Sequence, residues 1–322
     1  MKVNALTIVL AYKPEPKMLK RCIDSVLLQD MDTEILVITS YNEKIVKKAL
    51  ASYYQLRRIH VVQFKHDYGA YAMKLCVAKR IIENTTFDAA LFLDDDAYLG
   101  KKAATILYKH LYNNRKIGAT QPLILNVDGS FQSEMLWINM FGSIKTRELG
   151  TPSLAIFPSG CCFMIKREVL ELLNPNPLID TWYDDVDLGI QMLYKGYFTL
   201  VVPYAKAYHG TIGRQLRQPS PGYQWKRASK HVMNYLSLIA SRFSLSQGLV
   251  LLAAYSVGIP FTISWYLRKR QPYSALATIW SISKALTKYI EAIFYDYKSV
   301  DKAASSQVFN WIVDLTRKSL RK

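Results

Sequence analysis

The chain has 322 residues, of which half are hydrophobic and 21% are charged, so its composition excludes an intrinsically disordered protein and allows one large domain or one domain with an appendage. Its net charge of +17 is uneven, because the segment from Lys206 onward holds 18 Lys and Arg against four Asp and Glu. This asymmetry indicates an anionic partner, either a membrane or nucleic acid. The basic residues flank apolar stretches rich in Leu, Ile, Trp and Tyr, which favours a lipid headgroup layer, and no nucleic acid is expected.

The first 205 residues alternate apolar runs of strand length with amphipathic segments of helix length. We predict strands at residues 5–11, 34–39, 59–64 and 89–93, and helices at residues 18–29, 43–56 and 70–82. This alternation predicts an α/β fold with a mostly parallel central sheet covered on both faces. Ligands of such sheets bind beyond the carboxyl ends of the strands, where this sequence places Tyr12-Lys13-Pro14, Thr39-Ser40 and Asp94-Asp95-Asp96.

The cysteines and the N-terminus both suit a protein that faces the cytosol. Cys22, Cys76, Cys161 and Cys162 show neither a CxxC pair nor the spacing of a metal finger, so we predict reduced, buried thiols. The N-terminus leads directly into an apolar strand, and no secretory signal is expected.

The last third of the chain has the pattern of a membrane-associating region. No charged residue lies between Arg242 and Arg268, and residues 247–267 are enough to cross a bilayer. If this segment spans and the catalytic part is cytosolic, Arg268-Lys269-Arg270 lies outside, against the positive-inside tendency. A hairpin embedded from one side avoids the conflict, as does burial against a partner subunit, so the number of spans and a homo-oligomer stay open. The alternative is a soluble all-α lobe.

Two further apolar segments follow. Residues 273–295 carry Lys284, Lys288 and Glu291 on one helical face and therefore predict an amphipathic helix. Residues 302–322 have an apolar stripe, the pattern of a helix that lies in the membrane interface. The stripe consists of Val308, Trp311, Ile312 and Leu315. We therefore divide the chain into a catalytic domain, 1–230, and a membrane-associating helical region, 231–322, with interfacial helices and one or two spans.

Three adjacent carboxylates close the apolar strand LFLDDD at Asp94, Asp95 and Asp96. Such groups repel one another unless a cation or hydrogen-bond donors neutralise them. A divalent ion that prefers oxygen ligands, Mg²⁺ or Mn²⁺, fits this triplet and would bridge to a diphosphate. The alternative is a solvated turn or a helix N-cap, where Asp is also favoured.

A second acidic group is WYDDVD, residues 182–187, followed by the amphipathic segment LGIQMLYKG. Acidic residues at a helix N-terminus are favourable caps. The alternative is that a carboxylate beside aromatic rings and facing a cleft acts as a general base for a sugar hydroxyl. His209, in the segment YHG, is by itself more typical of a structural histidine than of a ligand.

The order of these segments resembles glycosyltransferase family 2, whose members have the GT-A nucleotide-sugar-binding fold, over roughly residues 5–230. ALTIVLAYKPEPKMLKRCIDSVLLQD resembles the family's opening strand, turn and first helix. DYGAYAMKLCVAKRIIENTTFDAALFLDDDAYL resembles the segment that leads into its D-x-D strand. PSGCCFMIKREVLELL and WYDDVDLGIQMLYKGYFTLVVPYAKAYHG resemble its acceptor loop, its E-D-x-D base motif and the strand that ends in His-Gly.

The resemblance implies a role for each matching residue. Asp185 is the catalytic base, and Asp184 stands in the place of the family's glutamate. A Mn²⁺ or Mg²⁺ ion under the donor diphosphate is held by Asp94, Asp96 and His209. The donor nucleotide sugar is contacted by Ala11, Tyr12, Pro14, Thr39, Asp67, Asp94, Asp95, Arg214, Arg217 and Arg227. The acceptor is contacted by Ser159, Gly160, Cys161, Trp182, Asp184 and Gln224.

The sequence departs from the family pattern at two places. In the family, acidic residues usually follow the second strand, but residues 39–42 here are TSYN. We expect Asp67 to take over part of the role of that carboxylate in recognition of the nucleotide base. Gln224 and Arg227 resemble the Q-x-x-R part of the Q-x-x-R-W motif in cellulose-synthase-like members, although Ala228 replaces the tryptophan. With Arg214 or Arg217, Arg227 would neutralise the leaving diphosphate.

The expected function is therefore that of an inverting, metal-dependent glycosyltransferase at the cell membrane with its catalytic domain facing the cytoplasm. As implied by relatives that assemble lipid-linked glycans, the expected donor is GDP-mannose, followed by UDP-sugars. The expected acceptor is a dolichol- or polyprenyl-linked glycan. One rival is a processive polysaccharide synthase that uses a UDP-sugar. The other is a non-catalytic, membrane-bound nucleotide-sugar- or lipid-binding protein.

Overall fold

The computed structural model of the chain describes residues 3–40, 43–66, 70–176, 178–179, 181–210, 220–294 and 302–320. The chain forms two compact units. Unit 1 comprises Met1–Leu136, Thr146–Pro175 and Gly196–Gln215, and unit 2 comprises Trp137–Lys145, Asn176–Lys195 and Leu216–Lys322. The division into a catalytic domain, 1–230, and a helical region, 231–322, stays a prediction.

The strands, in chain order, are β1 (Val3–Leu10), β2 (Met31–Asp32), β3 (Ile35–Thr39), β4 (Ile59–Gln63), β5 (Ala89–Asp94), β6 (Ala97–Leu99), β7 (Ile117–Asn126), β8 (Phe131–Ser133), β9 (Met135–Ile138), β10 (Ile144–Arg147), β11 (Ser153–Ala155), β12 (Cys162–Lys166) and β13 (Phe198–His209). The helices are α1 (Pro16–Leu27), α2 (Glu43–Ala49), α3 (Ala70–Ile82), α4 (Ala103–Tyr112), α5 (Arg167–Leu172), α6 (Asp184–Tyr194), α7 (Pro221–Arg242), α8 (Leu245–Arg268), α9 (Pro272–Phe294) and α10 (Lys302–Leu320), with a 3₁₀ helix at Ala51–Leu56.

Unit 1 is organised around one sheet, which has eleven strands in the part of the chain that the structure describes. Its main order is β11-β13-β7-β12-β5-β1-β3-β4. The strands β5, β1, β3 and β4 are parallel to one another, whereas β12 is inserted antiparallel between β5 and β7. Helices alternate with these strands along the chain, which confirms the predicted α/β class.

The central parallel strands β3 and β5 are mostly apolar because both faces of the sheet are covered there, whereas β4 at the edge is only partly buried. The five residues of β3, ILVIT, are all buried, as are the first five residues of β5. On α1, Leu19, Cys22, Ile23 and Val26 are buried at helical spacing, and Pro16 lies in the first turn, where its missing N–H costs no hydrogen bond. The predicted pattern of this helix is therefore the observed one.

The helix predicted over residues 43–56 is interrupted. An α-helix ends at Ala49, and a 3₁₀ helix occupies residues 51–56. Leu50 and Tyr53 are both buried, and their spacing of three residues matches the 3.0-residue turn of a 3₁₀ helix. The tighter turn also lets the Tyr53 hydroxyl donate a hydrogen bond to Asp24 on α1. The prediction of one continuous helix was wrong for this reason.

The cysteines are all free, but they do not share one environment. Cys22, Cys161 and Cys162 are buried, as predicted. Cys76 lies on the outward face of α3 and is exposed. The prediction that every cysteine is buried was therefore wrong for Cys76.

Unit 2 is mainly helical. Two of its long helices, α7 and α8, begin with a serine N-cap: the side chain of Ser220 accepts from the Tyr223 amide, and Ser244 and Gln247 form a capping box at the start of α8. Among the described residues, α8 is the single helix that is long and apolar enough to cross a membrane. On α10, Val308 and Ile312 of the predicted stripe are buried, so this stripe packs against the chain itself.

The first turn of α6 is fixed to the end of α7 by a buried ion pair. Asp187 is fully buried, and both of its carboxylate oxygens accept hydrogen bonds from the Arg242 guanidinium, at 2.5 and 2.9 Å. The side-chain amides of Gln191 and Asn176 donate to the same carboxylate. Its hydrogen-bonding capacity is therefore used within the protein.

We expect Arg242→Met to destabilise the chain by about 3–5 kcal/mol, because the variant leaves the Asp187 carboxylate buried without a counter-charge. The measurement is unfolding by urea in detergent, monitored by circular dichroism. Lys226→Met, at an exposed position of the same helix, is the control and should change the free energy of unfolding by less than about 0.5 kcal/mol. Equal unfolding midpoints for the two variants would contradict the role of this ion pair.

Candidate functional site

The carboxyl ends of β1, β3 and β5 meet at one edge of the sheet in unit 1. Leu10 is in register with Ile38 on one side and with Asp94 on the other. Beyond them, the Ala11 amide donates to the Ile38 carbonyl oxygen at 2.8 Å. The structure therefore brings the predicted donor residues Ala11, Thr39 and Asp94 to one edge, as expected for parallel strands. Tyr12, which follows Ala11, is exposed, and Pro14 is buried.

Asp94, Asp96 and His209 form a cluster at this edge. One ligand atom from each residue lies within 4.8 Å of the others. His209 Nε2 is 3.2 Å from Asp96 Oδ1 and 4.0 Å from Asp94 Oδ2. The backbone fixes this arrangement, because His209 is paired with Ala97 across β13 and β6, and the Gly210 amide donates to the Asp96 carbonyl oxygen.

The charges of the cluster favour a cation. Burial, followed by the charges of Asp96 and Asp94, raises the pKa of Asp95 to about 8. For His209, burial alone would lower the pKa, but the hydrogen bond to Asp96 and the charges of Asp96 and Asp94 raise it overall. The shift of His209 shows that Asp94 and Asp96 favour a positive charge beside them. Two carboxylates and an imidazole are also a donor set that suits Mn²⁺, so the residues present fit the predicted metal.

Lys74 is a member of this site that the sequence analysis missed. It lies on α3, its side chain is 6% exposed, and its ammonium group is 2.6 Å from Asp94 Oδ1. The same ammonium group donates to the Gly160 carbonyl oxygen at 3.0 Å. A single lysine within an apolar helix carries no sequence signal for such a position, because long lysine side chains usually extend to solvent.

The predicted acceptor loop lies directly beside the acidic triplet. The Asp94 amide donates to the Cys161 carbonyl oxygen at 3.0 Å, and Lys74 joins Asp94 to Gly160. The loop is fixed at Ser159, whose amide donates to the Gln121 side chain at 2.7 Å. Ser159, Gly160 and Cys161 are therefore held at the same edge as Asp94.

The predicted base lies in unit 2, in the first turn of α6. Asp184 is the first residue of the helix, and the residue at the N-cap position is Tyr183, which makes no side-chain capping hydrogen bond. Asp185 Oδ1 accepts from the Val186 amide at 2.9 Å. The carboxylate of Asp185 therefore accepts a backbone N–H hydrogen bond at the positive end of the helix.

The segment before Asp184 has an unusual backbone that α7 holds in place. Trp182 and Tyr183 both have positive φ, 59° and 67°, a conformation that costs a residue with a side chain about 1–2 kcal/mol. The Asn234 side-chain amide donates to the carbonyl oxygens of Thr181, at 2.5 Å, and Trp182, at 3.0 Å. Two consecutive strained residues are thus held by one side chain.

Tyr183 is also fixed through its ring. It is fully buried, its hydroxyl donates to the Gly142 carbonyl oxygen, and the hydroxyl oxygen of Tyr183 is 3.0 Å from His231 Nε2. Burial, followed by the charge of Arg227, lowers the pKa of His231 to about 4, so this imidazole is neutral at pH 7. Gly142 itself has φ of 73°, and a Cβ there would be 2.9 Å from the Tyr235 ring.

The remaining predicted residues of unit 2 lie on or next to α7. The Trp182 ring is edge-on to Tyr223, with centroids 6.4 Å apart, and Gln224 is the next residue and is buried. Arg227 is exposed one turn further along the helix. The predicted residues Asp67, Arg214 and Arg217 lie outside the described residues.

Comparisons with known proteins identify the family and the fold. The family model described as glycosyl transferase family 2 matches residues 7–173, more than half of the chain. A crystal structure of GalNAc-T7 with UDP, GalNAc and Mn²⁺ is similar at a TM-score of 0.62 and 14% identity, and the match covers 99% of this chain and 57% of that one. The mannosyltransferase PcManGT from Pyrobaculum calidifontis, in complex with GDP-Man and Mn²⁺, is similar at a TM-score of 0.53 and 15% identity, with 99% and 88% covered. No curated protein sequence matches the chain.

These similarities confirm the predicted GT-A fold, although this chain spans little more than half the length of the GalNAc-T7 chain. The strands from β2 to β12, the acidic triplet and the loop before β12 lie within the matched residues, whereas β13 with His209 lies beyond them. The chain belongs to glycosyltransferase family 2.

Proposed function

We propose that the protein transfers a sugar from a nucleotide-sugar donor to an acceptor hydroxyl with inversion at the anomeric carbon. The observation that carries the proposal is the cluster of Asp94, Asp96 and His209 at the carboxyl edge of the sheet in a family 2 chain. The donors and Mn²⁺ named for the two similar structures support it.

Asp94, Asp96 and His209 would hold the divalent ion, which supplies positive charge to the leaving nucleotide diphosphate. Lys74 keeps one oxygen of Asp94 engaged, which turns the carboxylate so that its other oxygen faces His209. Tyr12, exposed at the end of β1, and Thr39 at the end of β3 are the proposed contacts for the nucleoside. Arg227 is proposed to offset charge on the departing diphosphate.

Asp185 is the proposed general base, which accepts the proton of the acceptor hydroxyl as its oxygen attacks the anomeric carbon. An α-linked donor then gives a β-linked product. The hydrogen bond from the backbone amide of Val186 holds the Asp185 carboxylate in place at the start of α6, as a positioned base requires. Asp184 supports the site, with Trp182, Gln224 and the 159–161 loop as proposed acceptor contacts.

We propose GDP-mannose as donor and a dolichol- or polyprenyl-linked glycan at the membrane as acceptor. PcManGT was observed with GDP-Man, whereas GalNAc-T7 was observed with UDP and GalNAc, so a screen of both donor classes is the decisive assay. The long apolar helix α8 supports a membrane location, for which we propose that the catalytic residues face the cytoplasm. A processive synthase would extend the acceptor repeatedly, and a non-catalytic binding protein would bind donor without turnover.

The first prediction from the proposed function concerns the metal. We expect EDTA to abolish transfer and Mn²⁺ to restore it, because the acidic triplet binds the diphosphate only through a cation. Asp96→Ala should remove metal-dependent binding of GDP-mannose in isothermal titration calorimetry, whereas Asp30→Ala, at an exposed position, should bind like the parent. Full activity in excess chelator would disprove the metal's role.

The second prediction concerns Asp185. Asn keeps the shape of the side chain but cannot accept the proton, so Asp185→Asn should bind donor and metal like the parent while transfer falls by roughly a hundredfold or more. Asp184→Asn should reduce turnover less. If Asp185 only stabilises the start of α6, Asn is an equally good cap and turnover stays near normal.

The third prediction concerns the membrane. The exposed face of α8 includes Phe261 and Trp265, which are 72% and 52% exposed. Because a charge in hydrocarbon costs about 2.5–3.5 kcal/mol, Phe261→Glu with Trp265→Glu should weaken co-flotation with liposomes by roughly tenfold or more. Leu28→Glu, at an 83% exposed position of unit 1, is the matched control. A parent chain that stays soluble and monomeric without detergent would contradict membrane attachment.

A further inference from the structure

His209 has a second neighbour besides the two aspartates. Gln132 Nε2 is 2.9 Å from His209 Nδ1, on the opposite side of the ring from Asp96. Gln132 lies in the short strand β8, which pairs with β7. No motif in the sequence singles out this residue, because its distance from His209 along the chain is 77 positions.

The hairpin that carries Gln132 is fixed relative to His209. Asn126 at the end of β7 is in register with His209 on the neighbouring strand. The same Asn126 closes the turn, because its side-chain amide donates to Ser130 Oγ at 2.8 Å and to the Phe131 carbonyl oxygen at 3.3 Å. The position of the Gln132 side chain is therefore set by the two strands that also position the histidine.

The protonation of an imidazole decides which nitrogen binds a metal. A neutral ring has one N–H and one lone pair, and a metal takes the lone pair. Since Nε2 of His209 faces Asp94 and Asp96, it is the nitrogen that must carry the lone pair if His209 is a ligand. Nδ1 must then carry the proton and needs an acceptor.

Gln132 can supply that acceptor. With its amide as placed, the NH₂ group faces Nδ1, and the Oε1 atom is buried with no hydrogen-bond partner among the described residues. This orientation pairs the NH₂ group with the lone pair of Nδ1 and leaves the proton on Nε2. A half-turn of the amide places Oε1 on Nδ1–H and releases the Nε2 lone pair of His209 toward the aspartates.

We propose that Gln132 is the positioning residue that makes His209 an Nε2 metal ligand, by accepting a hydrogen bond from Nδ1–H when the divalent ion is bound. This inference rests on the metal site of the proposed function. Partners on the far nitrogen of ligating histidines fix the ring and its tautomer, and their loss typically weakens metal affinity by about 10- to 100-fold.

The test is Mn²⁺ binding to the metal-free chain without donor, measured from the electron paramagnetic resonance signal of free Mn²⁺. Gln132→Met keeps the size of the side chain but offers no comparable hydrogen bond, and its Kd should be about tenfold higher or more. Gln132→Glu can only accept, so it should bind Mn²⁺ at least as tightly as the parent.

Measurements in the His209→Ala background separate the effect of the Glu charge on Mn²⁺ affinity from the effect of its hydrogen bond to His209. There, Gln132→Met should cost nothing further, and any gain that remains for Gln132→Glu is the plain effect of the charge. A purely structural Gln132 would instead give the same loss for Met with and without His209. An unchanged Kd for Gln132→Met would overturn the inference while leaving the metal site in place. Equal Mn²⁺ binding by the parent and Asp96→Ala would overturn both.

A second measurement does not depend on the folding of a variant. In ¹⁵N-histidine-labelled parent protein, NMR should show a proton on Nε2 of His209 in the metal-free state and a proton only on Nδ1 with Mg²⁺ bound, with His209→Ala identifying the signal. A proton that stays on Nε2 in the Mg²⁺-bound state would overturn the proposal.

Discussion

The mutual repulsion of three carboxylates at the end of β5 is the constraint around which unit 1 is arranged. Two unit charges 4 Å apart repel by about 4 kcal/mol at an effective dielectric constant near 20, so Asp94, Asp95 and Asp96 cannot all remain charged there without compensation. Lys74 offsets one of them, and His209 in its protonated form offsets a second. Burial, followed by the charges of Asp96 and Asp94, raises the pKa of Asp95 to about 8, so the third carboxyl group takes up a proton easily. A divalent ion would satisfy the same need and displace protons from the site.

Unit 2 meets a different constraint, which is the strain at Trp182 and Tyr183. The strain persists because side chains of α7 fix this segment by hydrogen bonds on both sides. Asn234 donates to the carbonyl groups before Asp184, and Arg242 donates to Asp187 after Asp185. The proposed base is thus fixed from both sides by residues of a single helix. Strained backbone of this kind, maintained by its surroundings, is typical of positions where a side chain must be aimed.

Much of this could be predicted from the sequence, and the failures have physical causes. Hydrophobic periodicity located the strands of the parallel half-sheet, and the adjacent carboxylates of Asp94 and Asp96 indicated the metal edge. The antiparallel insertion of β12 was not predicted, because a buried strand is apolar in either direction. Lys74 and Gln132 were missed because each contributes through a contact made by the fold over a long sequence separation, with no local spacing to mark it. The roles of the site residues and the division at residue 230 stay predictions.

The helix α8 is long and apolar enough to cross a membrane, yet its two faces differ. Gly248, Leu251, Tyr255 and Gly258 are buried at helical spacing, whereas Leu249, Val257, Phe261 and Trp265 are exposed. On the buried face, the Tyr255 ring lies 4.9 Å from that of Tyr235, which in turn lies 5.8 Å from that of Tyr183. An unbroken aromatic contact therefore runs from α8 to the strained segment before Asp184. One face of α8 belongs to the core of unit 2, so only the opposite face could contact lipid. Removing α8 to gain solubility would expose the aromatic rings that pack against Tyr183.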